Sequence, residues 1–171
     1  MTATSPHPAM LSTRLEDILV AEFRAYGELV ACSRQERAFL TQADVTPLTT
    51  LLEQKERIVD ELNQLERRRQ VTLREWAGNP AQPLTLADLL PLLDPDLAER
   101  VSRLREGILV MVERERELAR GNRLLASAAL ERTEAMRTFL VNLSAPLEGY
   151  RPPGAPTSAS LAASLTAERW A

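Results

Sequence analysis

The sequence predicts an all-α protein: an antiparallel, coiled-coil-like bundle of three long helices, with a short helix between the second and third and a flexible C-terminal tail. Three observations carry this. The eleven prolines are clustered and leave three long proline-free spans, and proline breaks a helix interior while fitting its first turn. Within those spans apolar residues recur at intervals of three and four, the period of a helix face. Leu, Ala, Arg and Glu dominate, with only 4% aromatic and 26% charged residues, a balance typical of helical bundles. No pattern of period two survives, and no internal repeat is visible.

Residues 1–11 read as a flexible N-terminus, 12–148 as the bundle and 149–171 as a flexible tail. The first helix is expected from about Ser12 to Ala43, with an apolar stripe of Leu15, Ile18, Leu19, Tyr26, Leu29 and Val30. The second is expected to start at Thr46 as N-cap, with Pro47 in the first turn. Leu48, Leu51, Lys55, Ile58, Leu62, Leu65, Arg69, Thr72 and Trp76 then form a heptad seam with two basic interruptions. Gly78 fits a C-terminal stop. In "PLTLADLL", Thr85 can cap a short helix with Asp88 three residues on, and Leu84 and Leu89 are spaced as a hydrophobic staple. Pro91 limits that helix, and Asp94-Pro95 is a second cap-plus-proline start.

The third long pattern is the most regular. Leu97, Val101, Leu104, Ile108, Met111, Glu115, Leu118, Asn122, Leu125, Ala129, Arg132, Met136, Phe139 and Leu143 alternate four and three. Gly121-Asn122 resembles turn chemistry, but the phase does not slip across it. One continuous helix from about Asp94 to Leu143 is predicted, on the order of 75 Å long at 1.5 Å per residue. The segment "GYRPPGAPTSAS" after it reads as disordered. "LAASLTAERWA" places Leu161 and Leu165 on one face with Trp170 nearby, in a stretch too short for a stable helix alone.

Composition narrows the function. A formal net charge of -3 and pI near 5.4 disfavour bulk binding to nucleic acid or anionic membrane. "ERRRQ" is the only basic run, and its neighbours Glu66 and Glu75 make it a mixed-sign helix surface. No segment approaches the roughly 18 apolar residues of a membrane span, and "MTATSPHPAM" lacks the apolar core of a secretory signal. The single cysteine, Cys32, allows no internal disulfide and reads as a small half-buried residue; a cytoplasmic protein is expected. Enzyme chemistry finds little to stand on. His7 is the only histidine, so the Glu-x-x-His pairs of di-iron bundles cannot be built and Cys32 has no histidine companion in an ordered region. "GNRLLAS" lacks the Lys-Ser/Thr ending of a phosphate-binding loop. No metal site and no cofactor are expected.

Three helices joined by short turns alternate in direction. Aligning them on those turns places Glu36, Lys55 and Asn122 at one level, as a polar layer that would fix register at some cost in stability; Glu22 and Arg69 meet at another. The alternative is that these side chains reach out to water. The same alignment ends the first two helices near the level of residue 129, leaving about fifteen residues of the third beyond them. That overhang carries Met136, Phe139, Leu140, Val141 and Leu143, followed by Leu147 and Tyr150. An exposed apolar stripe marks a contact surface: Met136, Phe139, Leu140, Leu143, Leu147 and Tyr150, with the tail's Leu161, Leu165 and Trp170, are expected to bind a partner; the alternatives are that the tail folds back over the stripe or that two copies pair there.

The chain resembles the FlgN-type flagellar export chaperones from about Leu15 to Gly154. The resemblance rests on "LEDILVAEFRAYGELV"; on "LTTLLEQKERIVDELNQLERRRQ", with Lys55, Leu65-Glu66 and Arg69; on Asn122, Leu124, Leu125 and Leu130; and on Tyr150 with Gly154. Two departures stand out. The family's earlier asparagine has no counterpart at Leu118 or Ala119, and residues Thr157 to Ala171 are poorly covered. The resemblance implies a non-enzymatic cytoplasmic chaperone that binds hook–filament junction (hook-associated) proteins and delivers them to the flagellar type III export apparatus. It also implies that the C-terminal region holds the client. The competing reading is a homo-oligomeric coiled-coil structural or adaptor protein whose seam closes on a second copy.

Overall fold

The computed structural model describes residues 8–42, 44, 46–78 and 84–144. In order the elements are α1 (Pro8–Gln42), α2 (Leu48–Ala77), α3 (Leu86–Leu89), a 3₁₀ turn over Leu90–Leu92, and α4 (Pro95–Ser144). The described residues contain no strand. The chain divides into two compact units, one running to Glu131 and one starting at Arg132.

The first unit is the bundle. Side-chain contacts set its directions. From Arg14–Thr72 through Arg69–Glu22 to Lys55–Glu36, the sequence separation falls from 58 to 47 to 19, so α1 and α2 are antiparallel. Contacts between α1 and α4 keep a separation of 82 to 89 residues, from Glu16–Arg100 to Ser33–Asn122, so those two helices run parallel. This is the alternation that short connections demand.

The predicted seams carry the core. All nine seam positions of α2 are buried or half-buried. In α4 every seam position from Leu97 to Ala129 is buried or half-buried, and the helix passes through Gly121-Asn122 without a break. One apolar cluster joins Leu15, Leu19, Leu73, Leu86, Leu89, Leu93, Leu97 and Val101. A second joins Ile18, Ala25, Leu29, Cys32, Leu51, Ile58 and Leu65. Each fully buried leucine contributes about 1.5–3 kcal/mol of transfer free energy. Cys32 is fully buried rather than half-buried, because it belongs to the apolar cluster that contains Leu51 and Ile58.

The helix ends follow local chemistry, with two departures from expectation. α1 begins at Pro8, ahead of Ser12; Leu11 is buried, so packing draws the first turn into the helix. Thr46 does not cap α2. Pro47 holds the N-cap position with no side-chain bond, and the turn is closed by Asp44 instead. The Asp44 amide donates to the Phe39 carbonyl at 3.0 Å, and its Oδ1 accepts the Thr46 amide at 3.2 Å, an Asx turn. Gly78 ends α2 with φ of 61°, a left-handed conformation that glycine adopts without steric penalty. Thr85 and Asp88 form a reciprocal capping box, and those hydrogen bonds hold the Asp88 carboxyl below its usual range. Leu84 packs on the cluster that contains Leu89, as the staple spacing requires. Asp94 Oδ1 accepts the Asp96 amide at 3.1 Å at the start of α4.

Gly107 explains how closely α1 and α4 approach. A β-carbon there would stand 2.8 Å from Phe23 Cε2, inside van der Waals contact, so the aromatic edge occupies the space that glycine leaves.

In the second unit α4 continues to Ser144, and every residue from 132 to 143 is exposed.

Candidate functional site

Two features stand out from the ordinary packing. One is a polar layer inside the bundle. Its members come from three helices whose seams are mainly apolar, and their contacts join residues far apart in the chain. Glu36 Oε2 accepts hydrogen bonds from Lys55 Nζ at 2.7 Å and from Asn122 Nδ2 at 3.0 Å. The same amide nitrogen donates to the Ser33 carbonyl at 2.8 Å. Its two acceptors fix the orientation of the Asn122 amide, since the flipped form would set Oδ1 against two oxygens. Asn122 is 2% exposed, and its Oδ1 accepts no hydrogen bond from the described residues.

The structure thus brings Glu36, Lys55 and Asn122 together and adds two members that the sequence reading did not assign to the layer. Ser33 Oγ donates to Glu115 Oε1 at 2.7 Å, and Lys55 Nζ lies 3.9 Å from the same oxygen. Spacing marks both positions as inward-facing, though it names no partner for either. Glu115 occupies a seam position seven residues before Asn122, and Ser33 continues the buried spacing of Leu29 and Val30. One ammonium therefore serves two carboxylates. Burial raises the Glu115 pKa above its ordinary value; the Ser33 hydroxyl and Lys55 oppose that, and Glu36 adds to it.

Glu22 and Arg69 meet one level away, with Arg69 Nε donating at 3.0 Å; Arg69 also pairs with Glu66. Burial outweighs Arg69 and leaves the Glu22 pKa raised. For Arg69, burial alone would lower the pKa, but Glu22 and Glu66 outweigh it and keep the guanidinium charged. The Cys32 thiol is pushed up by burial, with Lys55 opposing, and is neutral near pH 7. Among the described residues no group of three or more His, Cys, Asp or Glu is placed to hold a metal ion.

The second feature is the distal stripe of α4. Met136, Phe139, Leu140 and Leu143 follow the i, i+3, i+4, i+7 spacing of one helix face. They are 67%, 62%, 57% and 65% exposed. Val141 is exposed as well but lies off that stripe. Leu147, Tyr150, Leu161, Leu165 and Trp170 fall outside the described residues. Apolar side chains of this size left in water forgo about 1.5–3 kcal/mol each, so four on one face form a surface prepared for burial against something.

A family model described as FlgN protein matches residues 10–158. The chain belongs to the FlgN family. FlgN proteins are flagellar export chaperones, not enzymes, and that general role in flagellar assembly is the role of this chain. No curated protein and no solved structure matches it. The FlgN match includes both features, the polar layer and the whole distal stripe. Of the residues that carry the resemblance, Lys55, Arg69 and Asn122 sit in the polar contacts of the bundle, and Leu65 lies in its core. Leu124 and Leu130 are exposed. Among the described residues no helix is long and apolar enough to cross a membrane.

Proposed function

We propose that this FlgN protein is a cytoplasmic chaperone that binds hook-associated proteins, the subunits of the hook–filament junction, and delivers them to the flagellar type III export apparatus. The observation that supports this most directly is the exposed stripe of Met136, Phe139, Leu140 and Leu143. An amphipathic client helix laid along that stripe would bury apolar surface on both partners, the helix-on-helix mode of recognition. Burial of the client's own apolar face would keep it from self-association before export. Leu147, Tyr150, Leu161, Leu165 and Trp170 extend the proposed surface. A tail that orders on a client pays conformational entropy at that moment, which keeps such a complex reversible.

The polar layer has a different part in this reading. Glu36, Lys55 and Asn122 set the register of the three helices and hold the bundle to one arrangement, so that the stripe is presented on a defined helix.

The test is Phe139→Asp with Leu143→Asp in the full chain. Circular dichroism and melting temperature are expected to be unchanged, while binding to purified hook-associated proteins by titration calorimetry is lost. Normal binding by a folded double variant would place the client elsewhere. The competing reading, a coiled-coil adaptor closing on a second copy, would use the same stripe. It predicts a tight dimer by sedimentation that the two aspartates dissociate and that ignores hook-associated proteins.

A further inference from the structure

The run Glu66-Arg67-Arg68-Arg69 is only partly absorbed by the bundle. Arg69 turns inward to Glu22 and Glu66. Arg67 and Arg68 do not. Both are exposed, and neither side chain has an ion-pair partner among the described residues. They rim a groove of about 260 Å³ whose other lining residues are Arg14, Ile18, Val71 and Thr72. Every residue of this groove lies on α1 or α2, and none belongs to the distal stripe. Ile18 and Val71 make its floor apolar, with Val71 44% exposed. Arg14 is anchored, its Nε donating to Thr72 Oγ1 at 3.0 Å and its terminal nitrogen paired with Glu75. Three guanidinium groups thus surround an apolar floor: Arg14 is already paired with Glu75, and Arg67 and Arg68 form no ion pair among the described residues.

We propose that this groove docks an acidic amphipathic helix of a partner protein, one bulky apolar side chain entering between Ile18 and Val71 and flanking carboxylates meeting Arg67, Arg68 and Arg14. Shape argues for a helix, because the groove lies between two antiparallel helices and suits helix-in-groove docking. Charge complementarity selects the sign: guanidinium forks match carboxylates bidentately. Nucleic acid is disfavoured because no aromatic ring lines the groove for a base to stack on and because Glu66 and Glu75 flank the arginines.

The experiment uses the full chain and a fluorescein-labelled stapled helix of Glu and Leu, with Leu at i and i+4. Two control peptides replace every Glu by Lys or every Leu by Ala. Anisotropy at about 0.15 M salt is expected to show binding of the Glu/Leu helix and at least about tenfold weaker binding of both controls, since surface charge pairs alone are weak. Arg67→Glu with Arg68→Glu should weaken the Glu/Leu helix about tenfold, because attraction becomes repulsion. Arg67→Gln with Arg68→Gln should weaken it to a lesser degree, and serves as the deciding variant if the charge reversal disturbs folding. Phe139→Asp with Leu143→Asp should bind it normally, which separates this groove from the proposed client surface. Four results would overturn the proposal: equal binding of the Lys helix; equal binding of the Glu/Ala helix, the sign of a generic anion site; unchanged binding by the folded glutamine pair; or displacement of the Glu/Leu helix by a single-stranded oligonucleotide at lower concentration than by unlabelled peptide.

Discussion

α4 is one helix with two histories. From Leu97 to Ala129 its seam residues are buried or half-buried. From Arg132 to Leu143 the same four-three spacing continues, and every residue is exposed. The periodicity is equal in both stretches, so periodicity is not what separates them. In the bundle, α1 ends at Gln42 and α2 starts at Leu48, and the fixed separation of α1–α4 contacts puts those ends opposite the last half-buried turn of α4. A heptad pattern states which face a helix would bury; only the extent of its neighbours states whether it does.

The largest expected effect sharpens this contrast at single residues. Leu15 is fully buried and Met136 is exposed. Leu15→Ala should destabilise by about 3 kcal/mol through lost burial and a residual cavity, whereas Met136→Ala should change stability by less than about 0.5 kcal/mol. Urea unfolding measures both, and a large loss at Met136 would break the comparison.

Lys55→Met should come next. It strips Glu36 and Glu115 of their shared cation, and breaking a buried pair costs about 3–5 kcal/mol. Both Lys55 and Glu36 side chains keep about one-sixth of their surface in solvent, which lowers the expectation to about 2–3 kcal/mol. Asn122→Leu should cost less than about 2 kcal/mol, since Glu36 retains Lys55 and the unpartnered Oδ1 is removed. Equal losses for the two variants would mean that Asn122, not Lys55, holds the layer.

Gly107→Ala should cost about 1–2 kcal/mol by forcing the Phe23 ring aside, less the roughly 1 kcal/mol that alanine gains over glycine in a helix. The net loss should vanish in combination with Phe23→Leu, a coupling that a double-mutant cycle reads directly.

The smallest effect is on pH dependence. Glu22 and Glu115 have raised folded-state values. Between the unfolded value near 4.5 and the raised folded value, the native state holds more protons than the unfolded chain. Stability from these two groups therefore falls as pH rises through that window and is greatest on its acid side. Glu115→Gln should flatten this slope and shift stability at neutral pH by under about 1 kcal/mol, measurable as melting temperature against pH. An unchanged slope would place the raised group elsewhere.

Much of this was legible in the sequence because the relevant physics is local or periodic. The seams of α2 and α4, the continuity through Gly121-Asn122, the Thr85–Asp88 box and the Gly78 stop each depend on residues within a turn or on spacing alone. The membership of Glu36, Lys55 and Asn122 in one contact was also accessible, because short connections force alternating directions and so a register. Thr46 was misread as a cap, since whether a hydroxyl or Asp44 closes that turn depends on backbone angles that composition does not specify. Ser33 entered the layer unannounced because a small polar residue on a buried face acquires its meaning from its partner, here Glu115 on another helix. Phe23 against Gly107 is of the same kind: a contact between α1 and α4 separated by most of the chain. The sequence by itself determined the helices, their faces and their order, because those follow from backbone hydrogen bonding and apolar period. Tertiary structure alone decided that Ser33 and Glu115 join the polar layer, how closely α1 and α4 approach at Gly107 and Phe23, and that Arg67 and Arg68 rim a groove with Arg14. Those outcomes rest on distances between residues far apart in the chain, which no local preference encodes.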